Sequence, residues 1–476
     1  MGRHRAYRDG RLGGLIHSPK MDSPHLAAGS EKHSTRQILR FLLPSALGVF
    51  FFLLPVHYEG GWTIPMGALT EMLKVRVGSY MPAVVLIIVI ISAVLTAWFS
   101  LVRRPPPDGY SGLRRIFFVG RSWLILRLLG LVVTVLIFFQ LGPEFIWAEA
   151  TGHVVLYDLA TAIVTIFIFA SLLLPLLTDF GLMELIGTVF RNVFQTLFRL
   201  PGRSCIDAVA SWMAAAAVGV IITSQQYERG YYSGREAAVI ATNFSVVSLP
   251  FCLVVAQFAG LGHLFFQYYL TVVVAGLIAA MVMPRIPPLS RMLDTYSEAG
   301  KQIEEEVPVG DSLFRYGMSK AVAKAQTAPG PRAYLGTSVE VLFDIWFGLM
   351  PPLMVIATLG LIFVEYTPVM TWLSYPLIPL LELLRLPEAT AAAPAFLVGF
   401  AEMFLPAVLA KGIDSELTRF VIISVSITQL IYMSEVGVLI LKTRIPLNLV
   451  DLVVIFLLRT LITLPIIAAI AHLVVF

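Results

Sequence analysis

Glu402 and Glu435 are the residues of this chain whose surroundings most demand a chemical role. Glu402 lies in Gly399-Phe400-Ala401-Glu402-Met403-Phe404-Leu405-Pro406, and Glu435 follows Gln429, Tyr432 and Ser434 in an otherwise apolar run. Holding a carboxylate at bilayer depth costs at least about 2.5 kcal/mol, so such groups usually bind or carry something. Gln429, Tyr432 and Glu435 are spaced three apart, which predicts one shared helical face. Upstream, Ser204, Asp207 and Ser211 recur about a turn apart, and Asn243, Ser245 and Ser248 interrupt an apolar run just before Pro250. Proline there frees backbone carbonyls. Freed carbonyls with hydroxyls and an amide oxygen suit a hard cation. The expected solute-binding set is Ser204, Asp207, Ser211, Asn243, Ser248, Glu402, Gln429, Tyr432, Ser434 and Glu435. The expected coupling set is Glu402 and Glu435 for a proton, with Asn243 and Ser245 for a rival sodium ion. Structural roles compete with these: Asp207 against Arg203, Glu435 against Arg459, and Asn243 with its serines as interhelical glue.

These residues sit in a chain that is 58% hydrophobic and 13% charged. Soluble domains carry about 25% charged residues, so this chain belongs in a lipid bilayer. The net charge of +4 comes largely from arginines beside apolar segments; it speaks for topology rather than nucleic acid. Cys205 and Cys252 fall inside apolar segments and suggest packing residues rather than a disulfide framework. No His/Cys/carboxylate set has zinc spacing, and no P-loop, Gly-x-Ser-x-Gly or His-Glu-x-x-His occurs. An enzyme, a metal or an organic cofactor is therefore not expected.

The predicted architecture is an all-α polytopic membrane protein with about nine transmembrane helices and two re-entrant hairpins. Its sections are a disordered cytoplasmic tail (1–35, with Met21 an alternative start), N-terminal membrane helices (36–178), a first repeat (179–284), a cytoplasmic linker (285–338) and a second, inverted repeat (339–476). Each repeat holds an Arg-Leu-Pro (Arg199-Leu200-Pro201, Arg385-Leu386-Pro387), a short small-residue segment and an arginine-led helix at Arg235 or Arg419. Positive-inside counting puts Arg199, Arg229 and Arg285 inside, so 204–223 must enter and leave on the cytoplasmic face. The same count brings 389–410 in from outside. Helices are then expected over 237–255 and 419–441 as unbroken crossings, and Phe190, Phe194, Leu197 and Phe198 predict one amphipathic surface helix within 181–203. Arg235 and Arg419 are expected to snorkel or pair at the interface.

Leu200-Pro201-Gly202-Arg203-Ser204, Tyr227-Glu228-Arg229-Gly230-Tyr231-Tyr232-Ser233-Gly234-Arg235-Glu236-Ala237, Val398 to Ala407 and Gln429 to Glu435 resemble the YjiH-like bacterial membrane proteins, which carry nucleoside-recognition, or Gate, domains. The resemblance spans about 179–476. Asn243-Phe244-Ser245 is also similar to a short stretch of concentrative nucleoside transporters, which use hairpins and a sodium site. The resemblance implies two inverted Gate-type repeats around one site. Gate domains are similar across proteins of different cargo, including ferrous-iron transporters and spore-maturation proteins; the ligand sets expected for iron are absent here. The expected function is a secondary transporter in the bacterial inner membrane. It would move a nucleoside, amino acid or similar polar solute by alternating access, coupled to H+ or Na+, with its N-terminus cytoplasmic and with lipid and solute as partners. A homo-oligomer stays open. The alternatives are a non-transporting ligand sensor or assembly partner, and a passive channel.

Overall fold

The computed structural model describes residues 34–58, 61–102, 114–205, 208, 216–244, 246–298, 300–301 and 312–476. Three of the expected site residues, Asp207, Ser211 and Ser245, lie outside the described residues, as does nearly all of the expected N-terminal tail. Among the described residues the regular structure is helical apart from a two-stranded hairpin, Val56–Tyr58 with Gly61–Thr63. Seven described helical stretches are long and apolar enough to cross a membrane. The other two of the nine expected crossings are each split into two short helices, and those splits organise everything below.

The N-terminal part contributes α1 (Thr35–Leu53), α2 (Pro65–Val77), α3 (Met81–Val102), α4 (Arg121–Phe138), α5 (Thr161–Leu173) and α6 (Leu182–Val189). The expected single helix over 181–203 is interrupted at Phe190. Phe194 and Phe198 turn inward while Phe190 and Leu197 stay exposed. The reason is a partner: the rings of Phe194 and Phe198 lie 5.0 and 5.1 Å from that of Phe244. This is a specific aromatic cluster rather than a lipid-facing stripe.

The first repeat continues with α7 (Ala216–Glu228), α8 (Gly234–Asn243), α9 (Leu249–Phe258) and α10 (Phe265–Val282). Beyond it the expected linker contains a helix, α11 (Leu313–Thr327), whose Ala321, Val322 and Ala325 pack on Phe41 of α1. The span that follows starts earlier than expected, as α12 (Pro331–Phe343) running on into α13 (Met350–Tyr366). The second repeat comprises α14 (Ala389–Val398), α15 (Leu405–Lys411), α16 (Glu416–Gln429), α17 (Val436–Lys442) and α18 (Leu449–Ile470).

An Arg-Leu-Pro turn followed by a split helix and a long helix thus occurs twice among the described residues. The two Arg-Leu-Pro copies share an unusual local shape. Arg199 and Arg385 both have φ of 55°, a left-handed geometry that costs a non-glycine residue roughly 1–2 kcal/mol; each closes a preceding helical turn and buries the following leucine. Each split helix starts from a serine cap, Ser233 in a capping box with Glu236, and Ser415 accepting from the Thr418 N–H. The two split helices run in opposite directions. The start of α8 at Gly234 packs on Pro446, beyond the end of α17, whereas Arg419 near the start of α16 lies over Gly260, beyond the end of α9. Arg235 and Arg419 are both paired near these starts, with Asp294 at 3.7 Å and Glu416 at 3.5 Å.

The N-terminal helices brace this unit through close backbone contacts. Gly130 of α4 sits so near the Pro351 carbonyl that a methyl group has no room there, the small-residue contact typical of helix packing in lipid. Arg127 on the same helix is buried and donates to the Thr96 hydroxyl (2.7 Å) and the Ile116 carbonyl (2.8 Å). Asp158 and Lys411 form an ion pair that ties the N-terminal part to the end of α15. Gly130→Ala is expected to lower stability by about 1–3 kcal/mol, read as a lower unfolding temperature in detergent. Gly336→Ala, where a methyl group meets nothing within 4 Å, is expected to be neutral or stabilising by up to about 1 kcal/mol.

Candidate functional site

The first split falls between Asn243 and Leu249. Pro250 sits in the first turn of α9, where it needs no N–H donor and where its ring forbids a helix running straight through from α8. The second split lies between Gln429 and Val436 and has no proline. It begins at Leu430, held at φ 63°, a strained value for a branched side chain. Tertiary hydrogen bonds hold it open: the Met433 N–H donates to the Phe400 carbonyl (2.8 Å) and the Ser434 N–H to the Ala401 carbonyl (3.1 Å). The bend Gly399–Phe404 between α14 and α15 is therefore stitched to the split in α16–α17. One consequence corrects the sequence expectation. Gln429, Tyr432 and Glu435 do not share a helical face, because the helix ends at Gln429.

Arg459, in the middle of α18, joins the two splits. It is fully buried. Its Nε donates to the Thr428 carbonyl at 2.8 Å and its Nη1 to Asn243 Oδ1 at 2.6 Å. Asn243 closes α8 and Thr428 lies at the end of α16, so the C-terminal ends of two half-helices converge on one guanidinium. The Asn243 amide is fixed in turn: its Nδ2 donates to the Val239 carbonyl (3.0 Å) and the Thr242 hydroxyl (3.1 Å). Next to it, Gln429 Nε2 donates to the Phe396 carbonyl (2.7 Å) and the Thr460 hydroxyl (2.8 Å). Sequence reading had offered Arg459 to Glu435; the arginine takes neutral oxygens instead. Its own importance was missed, although a lone arginine within 447–475 was the signal.

A second cluster gathers on the bend. Glu402 is buried and accepts the Phe404 N–H at 2.6 Å. Glu435 and Tyr432 lie close enough to interact with it electrostatically, as Cys252 of α9 does with Tyr432. The Phe404 ring packs edge-on against Phe258 (4.8 Å) and Phe251 (6.0 Å), docking the second repeat's bend on α9 of the first. Ser434, half-buried, belongs to this cluster by its backbone bond. Two expected residues stand apart. Ser204 is buried and donates to the Pro201 carbonyl (2.7 Å), closing its own turn. Ser248 caps the start of α9 without a side-chain cap bond.

Several buried polar atoms here have no partner among the described residues: Gln429 Oε1, Tyr432 Oη, Ser424 Oγ and Arg459 Nη2. Unmet buried groups are few in stable proteins and point to a site. Beside Arg459 lies a cavity of about 10 Å³, lined by Asn243, Tyr269, Gly276, Thr428 and Leu430 among others, room for a single water. Among the described residues no group of three or more His, Cys, Asp or Glu could hold a metal ion. If Gln429 locks the bend to α18, then Gln429→Leu and Thr460→Val should each cost about 1–3 kcal/mol, and the double variant should cost clearly less than their sum. Additive losses in thermal unfolding would separate the two side chains.

A family profile described as nucleoside recognition (Gate) matches residues 160–262, the stretch holding the first Arg-Leu-Pro and the first split. CNTnw in an inward-facing substrate-bound state has a TM-score of 0.38 at 12% identity, covering 86% of this chain and 99% of that one. A doubly substituted CNTnw in an outward-facing state has a TM-score of 0.37 at 14% identity, covering 86% and 100%. The uncharacterized protein BpOF4_10220 of Alkalihalophilus pseudofirmus is 52% identical over 443 residues, 93% of this chain and 96% of that protein. By that likeness, which runs through both splits and the bend between them, this chain belongs to the family of the Alkalihalophilus protein.

Proposed function

We propose that this protein is a secondary transporter of a small polar solute, working by alternating access between two inverted repeats in a bacterial cytoplasmic membrane. The observation that carries the reading is the meeting of two antiparallel split helices and a bent hairpin around unmet polar atoms. Irregular backbone at membrane depth is tolerated only where protein or a polar cavity covers it, and split helices at matching places in two halves mark transporter sites. Gln429 Oε1 and Tyr432 Oη offer the solute an acceptor and a donor; a nucleoside, an amino acid or a similar compound suits them. The Gate match supports a nucleoside as the first cargo to test.

The cavity beside Arg459 is too small for such a solute. Loading therefore requires the bend at Gly399 to move away from Gln429, whose Oε1 it faces. The backbone bonds from Met433 and Ser434 to that bend are the contacts that opening breaks. Glu402 is the proposed proton carrier, with Glu435 beside it. Its carboxyl is held by the Phe404 N–H in the present shape of the bend, so a rearrangement of the bend would change what surrounds it. Proton release is thereby tied to movement of the hairpin.

Proteoliposomes with an imposed pH gradient test this with labelled nucleosides and amino acids. Proton-driven uptake of the transported compound is expected to fall by an order of magnitude or more in Glu402→Gln, and substantially in Glu435→Gln. Undiminished uptake in the double variant would remove both carboxylates from the mechanism. Saturable binding without any gradient-dependent flux would instead make the protein a sensor.

A further inference from the structure

One of the oxygens that sequence reading offered to a sodium ion, Asn243 Oδ1, already has an occupant. Asn243 Oδ1 and the Thr428 carbonyl are hard neutral ligands, and each lies at the C-terminal end of a half-helix. Such an end carries roughly half a negative charge. Two of them pointed at one place make a cation site, as half-helix ends do for coupling ions in transporters. What stands there is the guanidinium of Arg459, bonded to both oxygens. Asn243 is oriented for this role, since its NH2 group is spent on Val239 and Thr242 and its oxygen faces the arginine. Among the described residues no carboxylate makes an ion pair with Arg459. Among the described residues its charge faces one amide oxygen and one helix-end carbonyl, the kind of environment that a monovalent metal ion would need.

We propose that Arg459 is a resident cation: it fills, from within the chain, the place where the two splits would otherwise hold a monovalent metal ion, and the site needs no sodium to be assembled. The occupancy claim stands on geometry. Its corollary, that solute movement is sodium-independent, rests on the transporter reading above.

The test uses the full-length purified protein and reads thermal unfolding in choline chloride, against added sodium chloride or millimolar guanidinium chloride. The wild type is expected to show no saturable response to either cation. Arg459→Ala is expected to melt several degrees lower and to recover part of that loss, saturably, with guanidinium or sodium. A saturable sodium stabilisation of the wild type would overturn the proposal, and so would an alanine variant that melts low yet ignores both cations. Should the alanine variant not be recovered from membranes, charge and shape can be separated. Arg459→Lys keeps the charge and is expected to be recovered, whereas Arg459→Met keeps the bulk and is expected not to be. Recovery of Met but not Lys would refute a cationic role. Because the readout is stability and not flux, failure to find a transported solute leaves this proposal standing. Its own failure leaves the transport proposal intact.

Discussion

One charged side chain holding two helix ends is the interaction on which the rest of this structure depends. A helix broken inside a bilayer exposes carbonyls that no water can satisfy. Arginine answers that need with five N–H donors on one rigid plane, and Arg459 spends two of them on oxygens from different halves of the chain. The half-helices that end there have 10 and 14 residues. They are therefore ~15 and ~21 Å long at 1.5 Å per residue, each shorter than a hydrocarbon core ~30 Å thick. Their ends meet at Arg459, and their starts lie beside opposite ends of each other's partner helices.

Around that junction, local chemistry and tertiary contact divide the labour. Pro250 ends any continuous helix through the first split, and Phe194 and Phe198 clamp Phe244 just beyond it. In the second repeat the backbone is bent at Gly399 and restarted at Pro406, and Phe404 anchors the bend against α9. The bend then holds open the second split through two backbone bonds. The carboxyl of Glu402 lies on this bend, whereas Arg459 lies on a long helix.

How much of this was legible in the sequence follows from where the causes lie. The two Arg-Leu-Pro turns, the arginine-led helix starts and the polar interruption before Pro250 are local signals, and each marks a real feature. The split at Leu430 carries no glycine or proline; it exists because the bend from another segment supplies hydrogen bonds, so 419–441 reads as one helix. For the same reason Gln429, Tyr432 and Glu435 seemed to share a face. Helix α11 escaped notice because the face it buries is made mainly of small residues, Gly317, Ala321 and Ala325 beside Val322, too weak a stripe to stand out. Arg459 was passed over inside a long apolar run, although an unpaired arginine at that depth is among the costlier choices a membrane helix makes.

Opposite orientation of the two halves is the claim from which the junction, the hinge and the resident cation all follow. Single cysteines at Gly230 and Gly412, in a background lacking Cys205 and Cys252, can be labelled with a membrane-impermeant maleimide in intact cells and in inverted vesicles. The account predicts that Gly412→Cys reacts in cells and Gly230→Cys only in inverted vesicles. Labelling of both from the same side would contradict it.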